Sequence, residues 1–142
     1  AGAAAMRDHE SALQKAVLAA LKGDAAVAAL VGGRVFDQAP EEAEHPYLVI
    51  GRCESRPVAA DGGGVEQRLT LTGVSRFDRS EEAKAVAAAV RACLHEAVLE
   101  ADGVRTATLR ANFADVFRAG DGRRTYAVVR LRAVTEEVSR EW

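Results

Sequence analysis

The sequence predicts an α+β domain: a mostly antiparallel β-sheet with one long central helix, and N-terminal helices packed mainly on one face. Apolar residues recur at helical spacing in residues 8–30 and again after residue 80, whereas residues 65–77 and 124–136 alternate between apolar and polar side chains. This order of elements favours a sheet covered by helices on one side. A length of 142 residues fits a single domain.

Two helices are predicted near the start of the chain. Asp8 or Ser11 can cap the first helix, and Asp24 can cap a short second one. Gly32 follows the second helix, and glycine readily adopts the left-handed conformation that ends helices. Residues 34–36 then form a short strand.

The second and third strands are predicted on either side of a glycine-rich loop. Residues 47–54 begin with a segment that is apolar on both faces, so we expect this end of the strand to be covered on both sides. Residues 55–64 form the loop, since Pro57 and three consecutive glycines disfavour regular structure. The alternation in residues 65–77 turns four side chains toward the core: Val65, Leu69, Leu71 and Phe77.

The long central helix is expected to begin at a Ser80 cap. Its apolar stripe contains many small residues, so the helix can lie close to the sheet. The stripe extends almost to Asp102-Gly103, which ends the segment, and it consists of Ala83, Val86, Ala87, Val90, Leu94, Ala97 and Val98.

A hairpin is predicted around Gly120-Asp121-Gly122. The core face of its first strand, residues 104–118, is expected to carry Ala107, Leu109, Ala111, Phe113 and Phe117. The second strand turns Ala127, Val129, Leu131 and Ala133 inward. Its opposite face is a mixture suited to a subunit contact, namely Tyr126, Val128, Arg130, Arg132 and Val134.

The composition argues against a membrane or a strongly nucleic-acid-binding protein. Net charge is −2, and no run of 18 apolar residues occurs. Thirty residues are alanine and only 37 are large and apolar, so we expect a thin core. Oligomerisation would stabilise such a core, and close packing of the alanine-rich helices is the alternative. Residues 1–5 before Met6 look like a cloning remnant, which leaves residues 6–142 as one domain.

Catalytic, cofactor-binding and metal-binding residues are all predicted to be absent. His9, His45 and His95 lie far apart, without metal-ligand spacing. Cys53 and Cys93 form no C-x-x-C pair and are expected to be buried free thiols on a strand and a helix. We therefore expect no enzyme and no cofactor.

A cluster of arginines marks the turn of the last hairpin. Arg118, Arg123 and Arg124 are the residues we expect to face DNA, if any do, because arginines contact phosphates. A solvated hairpin tip is the alternative interpretation.

Four segments resemble phage tail-completion proteins. The stretch LQKAVLAALKGDAAVAALVGGRVF opens the match at residue 13, and HPYLVIG corresponds to the second strand of that family. LTLTGVSRFDRSEEAKAVAAAVRACLHEA corresponds to the following strand and long helix, and FRAGDGRRTYAVVRLRAVTEE to the closing hairpin. The resemblance extends from residue 13 to residue 137 and is closest to the versions carried by gene transfer agents, the phage-like particles of alphaproteobacteria.

The resemblance implies a tail terminator, or head–tail joining protein. Such proteins form a homohexameric ring that caps the tail tube and docks to a neck or head-completion protein, and DNA passes through the ring. The implied location is the bacterial cytoplasm during assembly and then the neck of the particle. The family uses its loop between the second and third strands in assembly contacts. With the outer face of the last strand, this gives a predicted partner interface of Glu54, Arg56, Val58, Asp61, Tyr126, Val128, Arg130 and Arg132.

Other functions are left open by the sequence. The nearest is another neck or tail component, such as an adaptor or a tube-initiating protein. A small intracellular enzyme or ligand-binding domain would need a concave apolar pocket with convergent polar groups, which no motif supplies. A nucleic-acid module would need clustered aromatic residues on a basic face.

Overall fold

Helices and strands follow one another along the chain in nearly the order that the sequence predicts. The computed structural model describes residues 8–58 and 64–138. Its helices are α1 (His9–Gly23), α2 (Ala25–Val31) and α3 (Ser80–Leu94). Its strands are β1 (Val35–Phe36), β2 (Tyr47–Pro57), β3 (Val65–Arg76), β4 (Glu100–Ala101), β5 (Val104–Arg118) and β6 (Arg124–Glu137).

The six strands form one sheet in the order β1-β2-β3-β6-β5-β4. Only β1 and β2 are parallel; every other neighbouring pair is antiparallel. The helices pack on the face that carries Gln67, Leu69, Leu71 and Gly73 of β3. The predicted α+β class with a mostly antiparallel sheet is consistent with this architecture.

Capping interactions set the start of both N-terminal helices. The Asp8 carboxylate accepts the Ser11 N–H at 2.9 Å, and the Asp24 carboxylate accepts the Val27 N–H at 3.0 Å. Gly32 ends α2 with a φ of 60°, a conformation that costs glycine little. Both predicted caps are therefore confirmed, with Asp8 rather than Ser11 at the first.

Helix α3 packs closely against the sheet at Gly73. A Cβ placed on Gly73 would lie 3.0 Å from Val86 Cγ1 and 3.4 Å from Ala127 Cβ. Small residues on both elements therefore permit the close packing expected from the sequence. The core around this contact includes Leu13, Val17, Leu21, Leu48, Ile50, Leu69, Leu71, Val90, Leu94, Leu109, Val129 and Leu131.

The prediction of one long central helix is wrong in length. Helix α3 has 15 residues, the same as α1, and its N-cap is Arg79 rather than Ser80. It ends at Leu94, and Val98 is 80% exposed. Backbone groups after the helix bond to β5 instead, since the Glu96 N–H donates to the Leu109 carbonyl at 2.7 Å. This pairing replaces the last helical turn and leads into β4, which the sequence did not reveal.

Two bulges reverse the predicted face of β5 on either side of residues 109–111. The register with β6 shifts between Thr106 and Thr108 and again between Ala111 and Phe113. Each extra residue changes which side chains point inward. Ala107 is exposed, and Phe113 and Phe117 are 42% and 44% exposed rather than in the core. Leu109 and Ala111 do face inward as predicted, and Phe77, expected in the core beside β3, is 37% exposed.

Strand β2 is longer than predicted. It continues through the predicted loop start to Pro57, and the Val58 N–H donates to the Gly64 carbonyl at 2.9 Å. Its register with β3 shifts between Ile50 and Cys53, a bulge opposite Thr70. The rest of the predicted loop, residues 59–63, lies outside the described residues.

A buried polar cluster joins the start of α1 to the sheet. Gln67 is fully buried, and its Nε2 donates to the His9 carbonyl at 3.1 Å and to Thr135 Oγ1 at 2.9 Å. His9 Nδ1 lies 2.8 Å from the same hydroxyl. Since buried polar groups are costly without partners, these bonds fix the position of α1.

We predict that Gln67→Leu lowers the free energy of unfolding by about 1–3 kcal/mol, because it removes two buried hydrogen bonds. Urea unfolding followed by circular dichroism measures the change. Thr72→Val on the helix-free side of β3 serves as the control, with an expected change within about 0.5 kcal/mol. Equal stabilities of the two variants would contradict the role given to Gln67.

Candidate functional site

One face of the sheet carries no helix and presents a row of arginines. This helix-free face is defined by Glu66, Arg68, Thr70, Thr72 and Val74 of β3 and by the side chains level with them on the neighbouring strands. Registers across the sheet place four charged residues side by side on β2, β3, β6 and β5, namely Glu54, Arg68, Arg132 and Arg110. Like charges directly opposite each other destabilise a sheet, so three adjacent arginines are unfavourable unless a negatively charged group lies near them.

Glu66 offsets part of this charge. Its carboxylate accepts from Arg132 Nη2 at 2.8 Å and from Arg56 Nη2 at 3.1 Å, and it lies 3.6 Å from Arg68 Nε. Hydrogen bonds from Arg132 and Arg56 lower the pKa of Glu66, so it stays ionised at neutral pH. Arg110 lies beyond the reach of these contacts, so the row keeps an excess of positive charge.

Aromatic side chains occupy the other end of the helix-free face. The Arg130 guanidinium lies 4.6 Å from the centroid of the Phe113 ring, and the Phe117 and Tyr126 rings are 5.8 Å apart. Tyr47 is 7% exposed, with Phe36 beside it at 5.9 Å. The start of β2 is thus covered on both sides, as predicted.

The predicted partner interface falls mostly on this one face. The pairings of β2 and β6 with β3 place six of its residues there, which are Glu54, Arg56, Tyr126, Val128, Arg130 and Arg132. Val58 continues the same alternation, and Asp61 lies outside the described residues. Sequence reasoning missed Glu66, Arg68 and Arg110. All three were visible as polar positions of alternating strands, but their position around Arg132 depends on pairings between strands that are distant in sequence.

The three arginines predicted to face DNA do lie at one corner of the sheet. Arg76 pairs with Arg124, which adds a fourth arginine to the corner. Arg118 lies 5.2 Å from the centroid of the Phe77 ring, and its Nε donates to the Phe77 carbonyl at 3.3 Å. The corner is exposed and flanked by Asp121, whose carboxylate accepts the Arg123 N–H.

Histidines and cysteines form no metal-binding group within the described residues. Among residues 8–58 and 64–138, no group of three or more His, Cys, Asp or Glu side chains is placed to hold a metal ion. Both thiols are free and half-buried. Burial raises the pKa of Cys53 to about 11, and burial also raises that of Cys93, so both stay protonated at neutral pH.

Two depressions that the described residues form on the helix-free face are small. One of about 130 Å³ is lined by charged residues around Glu66, and one of about 200 Å³ by Phe113, Arg130 and their neighbours. Both are smaller than ordinary small-molecule pockets, which range from about 300 to 1,000 Å³. Within the described part of the chain, no helix has the length and apolar character to span a membrane.

The surroundings of His45 predict a dependence of stability on pH. Burial, together with the charges of Arg124 and Arg76, lowers the pKa of His45 below its ordinary value. The unfolded chain therefore binds the proton more readily, and stability falls as pH falls through about 6.5. We predict that the drop in Tm between about pH 7.5 and about pH 5.5 is smaller in His45→Gln than in the original protein. Identical drops would exclude this role for His45.

Comparisons with known proteins agree with the fold. The family model of tail completion protein gp17 matches residues 15–136. A chain in the solved virion of a native gene transfer agent particle is 28% identical, with a TM-score of 0.82, and the match covers 92% of this chain and 99% of that one. A second solved structure is 19% identical with a TM-score of 0.52, covers 93% and 95%, and shows only the fold. No curated protein matches the sequence.

The family match includes helices α2 and α3, strands β1 to β5, all of β6 except its last residue, and most of α1. It thus contains the helix-free face with its arginine row. The resemblance to tail-completion proteins, and to those of gene transfer agents, is confirmed by these matches. This chain belongs to the tail completion protein gp17 family.

Proposed function

We propose that the chain is a structural protein that forms a homohexameric ring at the end of a tail tube in a phage-like particle. The ring ends the tube and joins it to the neck or head-completion protein, and DNA passes through its channel. The protein assembles in the bacterial cytoplasm and remains in the neck of the particle.

The observation that carries this proposal is the similarity to the gene transfer agent virion chain. It extends over nearly the whole of both chains at 28% identity, so the similarity is not confined to one shared motif. The family model independently names tail completion. A role in assembly also fits the absence of a metal cluster among the described residues and the small size of the depressions described above.

The helix-free face supports the proposed passage of DNA. In a ring with its helices outside, this face lines the channel, where the row of Arg68, Arg132 and Arg110 meets the DNA phosphates. Glu66 limits the local positive charge through its contacts with Arg132 and Arg56. A moderate excess of positive charge attracts the DNA without binding any one sequence.

The end of the β2–β3 hairpin supports a contact with the tail tube or with the neck. The hairpin continues to the bonded pair Val58 and Gly64, one residue beyond the last pairing of β3 with β6 at Val65, so its connection begins at the end of the sheet. Arg56 and Glu66, which are paired close to this end of the hairpin, are joined by a salt bridge. We assign the partner contact to this tip.

Removal of the chain from the producing strain tests the proposed joining role. We expect separate tails and DNA-filled heads in place of complete particles, because no ring then closes the tube. Electron microscopy and a gene-transfer assay measure the effect, with the gene restored in trans as the control. Complete particles at normal frequency without the chain would refute the function. A cryo-EM map of complete particles with no ring of this chain at the neck would refute the ring.

A shortened hairpin tests the tip separately. Replacing residues 59–63 by Asn-Gly should leave the fold intact, because Val58 and Gly64 are a bonded pair that a two-residue turn can connect. We expect an unchanged circular dichroism spectrum and Tm, but fewer joined particles by electron microscopy. Normal joining by this folded variant would show that the tip is a passive connection.

A further inference from the structure

Strand β5 is unpaired along part of one side. Strand β5 pairs with β6 along its whole length, whereas β4 covers only Val104 and Arg105 on its other side. Further along, bonds from Glu96 to Leu109 and from Ala111 to His95 occupy that side as far as the bulge at Asn112. No described residue hydrogen-bonds to it in residues 113–118, which we call the β5 open edge.

Three backbone N–H groups point outward at the β5 open edge. The Ala119 N–H donates to the Arg124 carbonyl, and the register is regular from there back to Phe113. Antiparallel pairs alternate between bonded and non-bonded positions, so every second residue turns its N–H and C=O away from β6. These residues are Ala114, Val116 and Arg118.

The opposite side of the sheet has a matching open stretch. Strand β1 covers only Leu48 and Val49 of β2. Since the Val58 N–H is bonded to Gly64, the same alternation turns Cys53 and Ser55 outward. The backbone of Pro57 has the same orientation. Because proline lacks an N–H, and the N–H at this position would point away from β3, no hydrogen bond within the sheet is lost. Residues 53–57 form the β2 open edge.

The strand directions fit pairing of these two edges between copies of the chain. Strands β2, β3, β6 and β5 alternate in direction, because each neighbouring pair is antiparallel. An even number of alternating strands places β5 of one copy antiparallel to β2 of the next. The repeat therefore continues around a cyclic assembly without a change of pairing type.

The positions of the open edges also fit a closed sheet. The part of β2 that β1 covers is level with the β5 open edge. The registers show this, because they place four residues side by side across the sheet, namely Tyr47, Val74, Tyr126 and Phe117. Strands β1 and β4 thus cover opposite ends, and the two open edges are displaced along the strand direction. Strands of a closed sheet must be staggered in this way.

We propose that the β5 open edge of one protomer pairs with the β2 open edge of a second copy, so that the sheets join edge to edge around the ring. The proposal rests on the ring proposed above. It identifies the contact as backbone hydrogen bonding, with Ala114, Val116 and Arg118 opposite Cys53 and Ser55. The helix-free faces then form one continuous inner surface.

Proline at position 114 tests the contact with little risk to the fold. The Ala114 N–H points away from β6, so Ala114→Pro removes an outward donor and no bond within the sheet. The matched control is Ala114→Val, which keeps the N–H in a strand-favouring residue. We expect both isolated variants to keep the circular dichroism spectrum and Tm of the original protein. Complete particles should fall by about tenfold or more for Ala114→Pro only, since a proline ring also obstructs the incoming strand.

Hydrogen exchange of the original protein gives a second measurement that does not depend on any variant folding. The amides of Ala114, Val116, Cys53 and Ser55 should exchange rapidly in the isolated protein and slowly in intact particles. If particles contain the ring but these amides exchange equally in both states, or if Ala114→Pro assembles normally, edge pairing is wrong while the ring stands. If the neck of the particles contains no ring, the function proposed above fails first.

Discussion

The contact between Gly73 and Val86 sets the geometry on which the rest of the molecule depends. A side chain at Gly73 would meet Val86 Cγ1 at 3.0 Å, so the absence of a Cβ permits α3 to approach the middle of β3 and β6. Small side chains on the helix, such as Ala83 and Ala87, extend the same close approach. The N-terminal helices then pack beside α3, and all three helices share one face. Because a single layer of helices covers the apolar side of the sheet, the other side remains available for charged and aromatic residues.

Because the helices cover only one face of the sheet, a thin core occurs together with many strand side chains that face outward. The inward side chains of β3 and β6 are buried aliphatic residues such as Leu71 and Leu131, together with the hydrogen-bonded Gln67. The outward ones are held by contacts among themselves, including the Glu66 carboxylate between arginines and Phe113 beneath Arg130. Such contacts order the side chains but contribute little stability where they are exposed. The helix-free face is therefore organised by partners within its own surface.

Local chemistry made much of the fold predictable. The caps at Asp8 and Asp24, the stop at Gly32 and the alternation in β3 and β6 each follow from neighbouring residues, and each is present. The end of α3 did not follow, because Ala97 and Val98 continue the helical pattern while long-range bonds from Glu96 to Leu109 draw the backbone into the sheet. The inward and outward positions of β5 also could not be predicted, because a bulge changes only the phase of the alternation between apolar and polar residues and has no other sign in the sequence. The arginine row did not follow either, because Arg68, Arg132 and Arg110 come from strands distant in sequence.

The bulge at Asn112 has a consequence for how related chains are compared. It inserts one residue between two regularly paired segments of β5, with Ala111 opposite Leu131 and Phe113 opposite Arg130. A relative without the bulge should be aligned with a one-residue gap at this position, since an ungapped alignment would equate inward positions with outward ones. Phe113 and Phe117 would then be counted as variable core residues, when they belong to a different surface with different constraints. Substitution patterns in this family are informative for β5 only after that correction.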